Sequence, residues 1–173
     1  MMRQALPWSG QPDTPQLVHD VYWRDQIPGM LRQISQRFGP VLPFGMGRSY
    51  GDVCCAESSH VMGSAGLDRI ISFDPSHGVI KAEAGVSLAA LLALAVPRGW
   101  FLPVTPGTAF VSLGGAVAND VHGKNHHRRG TFGRHVMSLG LVRSDNGELV
   151  CSPAENPGRF AATGGGLGLT GFI

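Results

Sequence analysis

Four clusters of residues in this chain have the types and spacing to do chemistry. The first is Gly45-Met46-Gly47-Arg48-Ser49-Tyr50-Gly51-Asp52. Glycines let a backbone curl until successive N–H groups converge, and such a concavity binds phosphate oxygens. Ser49 adds a hydroxyl donor and Arg48 a positive charge. A glycine-rich surface turn is the competing explanation, and the pattern alone does not separate the two. The second cluster is Pro106-Gly107-Thr108, followed by Ser112-Leu113-Gly114-Gly115-Ala116. Small residues there let a flat ligand lie against bare backbone. Close packing of a helix on a sheet would use the same residues.

The third cluster is Asn119-Asp120-Val121-His122-Gly123-Lys124-Asn125-His126-His127. His122 and His126 have the spacing of two metal ligands on a helix. Gly123 interrupts that helix, no cysteine completes the set, and Lys124 repels a cation. A polar site facing an anionic or electron-rich cofactor accounts for His122 and Lys124 together, while His126 and His127 read as solvated loop histidines. The fourth cluster is Gly164-Gly165-Gly166-Leu167-Gly168-Leu169-Thr170-Gly171. Its glycines match G-x-G-x-x-G, but a dinucleotide fold needs a strand before, a helix after and an acidic residue about 20 positions on. The given sequence stops two residues later, so that reading is rejected.

The elements that must position these clusters follow from periodicity. A helix is expected over residues 28–38, where Ile27, Leu31, Ile34 and Phe38 share a face and Gly39 stops the turn. Residues 41–44 read as a strand feeding the first glycine loop. Two strands, 70–73 and 79–84, are joined by a turn at residues 74–78. Ser87 is an N-cap for a helix through Val96, with Leu88, Leu91, Leu92 and Ala95 as its buried stripe. Residues 139–142 and 149–151 flank Asn146-Gly147, a hairpin turn signal. Residues 169–172 read as the start of a strand. Trp8 and Trp23 are expected to dock onto the body as anchors. Strands mixed with a few helices, without strict alternation, indicate α+β with small mixed sheets.

Composition excludes several classes. With 173 residues, 43% hydrophobic and 15% charged, the chain can bury a core without disulfides or structural metal. A net charge of +2 carries no nucleic-acid footprint, although residues 124–129 form a local basic run. Three cysteines, two of them adjacent, are not a disulfide framework and fit a reducing compartment. No apolar signal-peptide core follows Met1. The longest apolar stretch, residues 86–96, is far short of the about 20 residues that span a bilayer. A cytoplasmic location is the expectation.

Taken in order, the clusters resemble the FAD-binding domain of vanillyl-alcohol-oxidase (PCMH-type) flavoenzymes. Carrying the likeness are the Gly45–Asp52 loop, Ala84-Gly85-Val86-Ser87-Leu88, Pro106-Gly107-Thr108, Gly114-Gly115-Ala116, the 120–127 run, Thr131-Phe132-Gly133 and Gly168-Leu169-Thr170-Gly171. The most specific piece is His122-Gly123-Lys124-Asn125-His126-His127. The match spans about Pro40 to Ile173, which divides the chain into an N-terminal segment with the first helix (1–39) and an FAD-binding domain (40–173).

This resemblance implies a two-lobed domain with FAD extended between the lobes and its pyrophosphate on the Gly45–Asp52 loop. The cofactor would be lined by Pro43, Phe44, Gly45, Met46, Gly47, Arg48, Ser49, Tyr50, Gly51, Asp52, Val53, Gly107, Ser112, Leu113, Gly114, Gly115, Asn119, Asp120, Val121, His122 and Ile173. His122 and Lys124 would be catalytic, beside the flavin ring and the substrate. Many relatives carry a flavin-linked histidine where this chain has Asp52, so FAD would be non-covalent. Family members continue into a substrate domain, so the chain reads as a fragment, inactive alone.

The implied reaction is oxidation of a sugar hydroxyl, the 2-hydroxyl of a polyprenyl-phosphate ribose, to a ketone. A nicotinamide-dependent reductase would complete an epimerisation, and membrane association would come only through the substrate. An aldonolactone or alditol oxidase, and a non-catalytic flavin-binding module needing a partner chain, are the alternatives.

Overall fold

The computed structural model describes residues 2–11, 13–145 and 147–173. Its first lobe is a four-stranded mixed sheet made of β1 (Met2–Ala5), β2 (Gln16–Asp20), β3 (Leu42–Phe44) and β4 (His60–Gly63). The strand order is β1-β2-β4-β3. β1 runs antiparallel to β2, while β2 and β3 both pair parallel to β4. Parallel strands of one sheet are joined by long crossovers. Helix α1 (Ile27–Phe38) supplies one between β2 and β3, and residues 45–59 supply the other as an irregular loop. That second crossover is the first glycine cluster. The pairing of β3 with β4 therefore fixes the loop at the carboxyl end of β3, where open sheets characteristically hold ligands.

Helix α1 forms as the periodicity indicates, one residue longer at its start. Pro28 sits in its first turn, and Gly39 ends it at φ 91°. Ile27 and Ile34 are buried, with Leu31 and Phe38 packed beside them.

The second lobe holds the antiparallel pair β5 (Ile70–Asp74) and β6 (Val79–Ala82), joined through Gly78 at φ 66°. Helix α2 (Leu88–Ala95) follows, its first turn capped by the Ser87 side chain, which accepts from the Ala90 amide. Of its expected stripe, Leu88, Leu91 and Ala95 are buried and Leu92 is half-buried. Helices α3 (Leu113–Ala118), α4 (His126–Arg129) and α5 (Pro157–Thr163) are short. Strands β7 (Leu139–Arg143) and β8 (Gly147–Cys151) form the last antiparallel pair. Asn146, half of the expected turn, lies outside the described residues.

Cores follow the lobes. Val86, Leu88, Val104, Ala116, Phe132 and Leu141 belong to one cluster; Val21, Ile34, Met62 and Phe172, and then Val18, Phe44 and Val61, form two more around the first sheet. Side chains alternate along a strand. On β7 this sends Leu141 into the second-lobe core and Val142 into a first-lobe core, tying the two together.

Two expectations are corrected. Residues 169–172 do not begin a strand. Gly168 and Gly171 hold positive φ, and only Phe172 bridges to Val142. Trp8 and Trp23 are not buried anchors, being 60% and 56% exposed. Trp23 instead lies 3.9 Å from the Arg69 guanidinium. Arg69 and Arg24 clasp the buried Glu83 carboxylate at 3.1 and 3.5 Å, so a charged clamp joins the start of the chain to the second lobe.

Candidate functional site

Between the lobes lies a cleft of about 790 Å³. One wall is the glycine loop leaving β3. Gly45 must be bare, because a Cβ there would collide with the Ser112 hydroxyl. At Gly47, φ is 63° and a Cβ would stand 2.9 Å from the Phe44 ring, so the loop folds tightly against its own strand. The far end of the loop is pinned by Gln16, which is fully buried and accepts the Ala56 amide at 2.8 Å. Among the described residues, no acceptor takes a hydrogen bond from the backbone N–H groups of residues 45–50. A run of free amides on a curled backbone is an anion cradle.

The facing wall is α3. Ser112 caps it, accepting the Gly115 amide at 3.2 Å, and is itself 2% exposed. Gly114 lets the helix press on Ala84, whose Cβ would be 2.8 Å from an added Cβ. The close-packing explanation and the ligand-wall explanation of this cluster therefore both hold, on opposite sides of one short helix. The glycine-rich tail completes the enclosure. Gly165 and Leu167 donate to the carbonyls of Val117 and Ala118 at 3.1 and 2.8 Å, and Gly168 runs beside Leu42 and Pro43. The fourth cluster is thus a strap from α3 to β3.

Most expected residues meet here. Pro43, Phe44, Gly45, Met46, Gly47, Arg48, Ser49, Tyr50 and Val53 line the cleft from the first lobe. Gly107, Ser112, Gly114, Gly115, Asn119, Val121, His122 and Ile173 line it from the other side. Five lie outside the lining. Leu113 packs into the second-lobe core. Asp120, at φ 42°, turns its carboxylate to the Gly133 amide at 2.7 Å. Gly51 and Asp52 sit in the exposed turn that leads away, where the Asp52 carbonyl accepts the Cys55 amide. Lys124 is exposed at the rim, two residues beyond His122.

Sequence reasoning missed Trp8, Ser64, Phe110, Leu167 and Gly168, which also line the cleft. For Leu167 and Gly168 the signal was the glycine run itself. For Trp8 it was the cost of leaving an indole exposed: its ring meets Tyr50 edge-on at 5.8 Å across the cleft mouth.

Electrostatically the cleft favours anions. Among the described residues, Arg48 and His122 line it and no Asp or Glu side chain does. Its one thiol is subdued: burial, then the neighbouring Cys55, push the Cys54 pKa up to about 11. Among the described residues no three His, Cys, Asp or Glu side chains gather as a metal centre. The rings of His122, His126 and His127 merely follow one another, with centroids 5.4 and 6.0 Å apart. Among the described residues no helix is long and apolar enough to cross a membrane.

Comparison with known proteins decides the cofactor. Residues 15–152 match the family described as FAD binding domain. The chain belongs to the FAD-binding domain family. FAD is its cofactor, and the cleft fits: its size lies in the range of about 300–1,000 Å³ usual for ligand pockets, with free amides for phosphate and bare backbone for a flat ring.

The chain is 44% identical over 135 residues to decaprenylphosphoryl-beta-D-ribose oxidase of Mycolicibacterium smegmatis, covering 77% of this chain and 29% of that protein. It is 30% identical to a putative D-arabinono-1,4-lactone oxidase of Neurospora crassa, over 75% of this chain and 23% of that protein. The solved structure of alkyldihydroxyacetonephosphate synthase superposes with a TM-score of 0.77 at 16% identity, covering 92% of this chain and 30% of that one. The α+β PCMH-type fold is therefore shown. This FAD-binding domain spans less than a third of the length of these relatives.

Proposed function

We propose that this chain is the flavin-holding part of an oxidoreductase that oxidises a sugar hydroxyl to a ketone, with a polyprenyl-phosphate ribose as substrate and its 2-hydroxyl as the reacting group. The observation that carries this is a single cleft joining the free amides of residues 45–50 to His122, in a chain 44% identical to a ribose oxidase. FAD supplies the hydride acceptor. The Gly45–Tyr50 amides, with Arg48, hold its phosphates. Ser112, Gly114 and Gly115 offer backbone against its flat part.

Alcohol oxidation also releases the hydroxyl proton, and His122 on the cleft wall is the group to hold it. Lys124 reaches in from the rim on its four-carbon stem and supplies positive charge where negative charge develops. Asp52 forms no bond to flavin, so binding is non-covalent. Residues 1–39 close the first lobe, and residues 40–173 hold the cofactor. A nicotinamide-dependent reductase then acts on the keto sugar.

In the complete polypeptide, His122→Ala lowers turnover by about 10²–10⁴ while bound flavin stays constant. Unchanged turnover removes His122 from the mechanism. A lactone-oxidase reading is favoured by the 30% identity to the Neurospora crassa protein. Assaying both substrate classes side by side separates them: bleaching of flavin by an aldonolactone alone selects the second.

A further inference from the structure

The basic run at residues 124–129 is only partly absorbed by the cleft. Helix α4 presents Arg128 and Arg129 to solvent, and Arg134 lies across its end, the arginine stem packed on Gly130. The arrangement is fixed by backbone contacts: the His135 ring donates to the Arg129 carbonyl at 3.0 Å, and the His126 ring to the Gly123 carbonyl at 3.1 Å. Among the described residues none of these three arginines has a carboxylate partner within ion-pair reach. The nearest acid in sequence, Asp120, is engaged by the Gly133 amide. Three unpaired cations in so short a stretch stand out against a whole-chain charge of only +2.

Exposed apolar side chains lie on the neighbouring segments. The Asn125 side chain donates to the Pro103 carbonyl at 3.0 Å, which sets the 101–103 segment beside the entry to α4. Phe101 on that segment is 65% exposed, and Met137, just past His135, is 66% exposed. A site for one isolated phosphate would enclose its guanidinium groups. Here Arg128 and Arg129 stand outside both the cleft and the small open hollow of about 230 Å³ that Arg134 borders, with exposed Phe101 and Met137 on the neighbouring segments, which is the composition that adsorbs to an anionic bilayer.

We propose that the face formed by Arg128, Arg129 and Arg134, with Phe101 and Met137, docks on the anionic lipid headgroups of a membrane. No spanning helix is required. Attachment is electrostatic, so it weakens as salt screens the charges.

The test is co-sedimentation of the purified chain with vesicles of phosphatidylcholine, and with vesicles of equal parts phosphatidylcholine and phosphatidylglycerol. Binding is expected to the anionic vesicles only and to fall as salt rises. The double variant Arg128→Glu/Arg129→Glu is expected to bind them about thirtyfold or more weakly, at about one kcal/mol per removed cation, with its circular dichroism unchanged. Absence of binding to anionic vesicles at low salt overturns the proposal, as does equal binding to both vesicle types. Preferential binding to a soluble polyanion such as heparin, with vesicles failing to compete, overturns it in favour of a soluble acidic partner.

Discussion

His19 and His60 stand on the paired strands β2 and β4 with Nε2 and Nδ1 2.9 Å apart, and Phe38 stacks on His60 with ring centroids 3.7 Å apart. Burial, and then the neighbouring His60, hold the His19 pKa below its ordinary value. The unfolded chain therefore takes up this proton more readily than the folded one. Stability is intact above about pH 6.5 and falls as the pH drops from there through the lower folded value. Denaturant midpoints measured on both sides of that window should decrease toward acid. His60→Ala should move the His19 titration upward, read from its ring-proton NMR shifts; an unmoved titration would discard the pairing. Cys54 is the opposite kind of residue. With a pKa of about 11 it is almost wholly thiol at pH 8, so native protein should resist iodoacetamide at this position while unfolded protein reacts.

At the scale of elements, α3 carries the most. Its six residues are held by one cap and by contact with Ala84, two residues past β6. Ser112→Ala removes the cap and should cost about 0.5–2 kcal/mol. Gly114→Ala drives two methyl groups together and should cost about 1–3 kcal/mol. Both are read as lower denaturant midpoints, and an unshifted midpoint for Gly114→Ala would mean that α3 does not press on Ala84.

Local signals wrote α1, α2 and the β5–β6 and β7–β8 pairs plainly into the sequence. Periodicity, the Ser87 cap and glycine stops all act within a few residues. The parallel register of β2, β4 and β3 was not legible, because it depends on pairing segments tens of residues apart. The end of the strap, residues 169–172, reads locally as a strand start for the same reason. Its glycines answer to α3 and β3, not to each other.

For the whole molecule, the ordered clusters announced the cleft, and the structure gathers seventeen of the expected lining residues into it. What composition could not announce was direction. Leu113 and Asp120 alternate away from the ligand side, and only packing decides which neighbour faces in. The two lobes are tied by β7 and by the Glu83 clamp, so the cleft is a property of the assembled chain.

The central claim is that this cleft grips FAD without a covalent bond. Titrating FAD into the purified chain while following its absorbance and fluorescence tests this directly. A saturable spectral shift is expected, lost in Gly45→Val, with all flavin released on acid precipitation. A free-FAD spectrum at every protein concentration, or flavin that stays with the precipitate, would contradict the account.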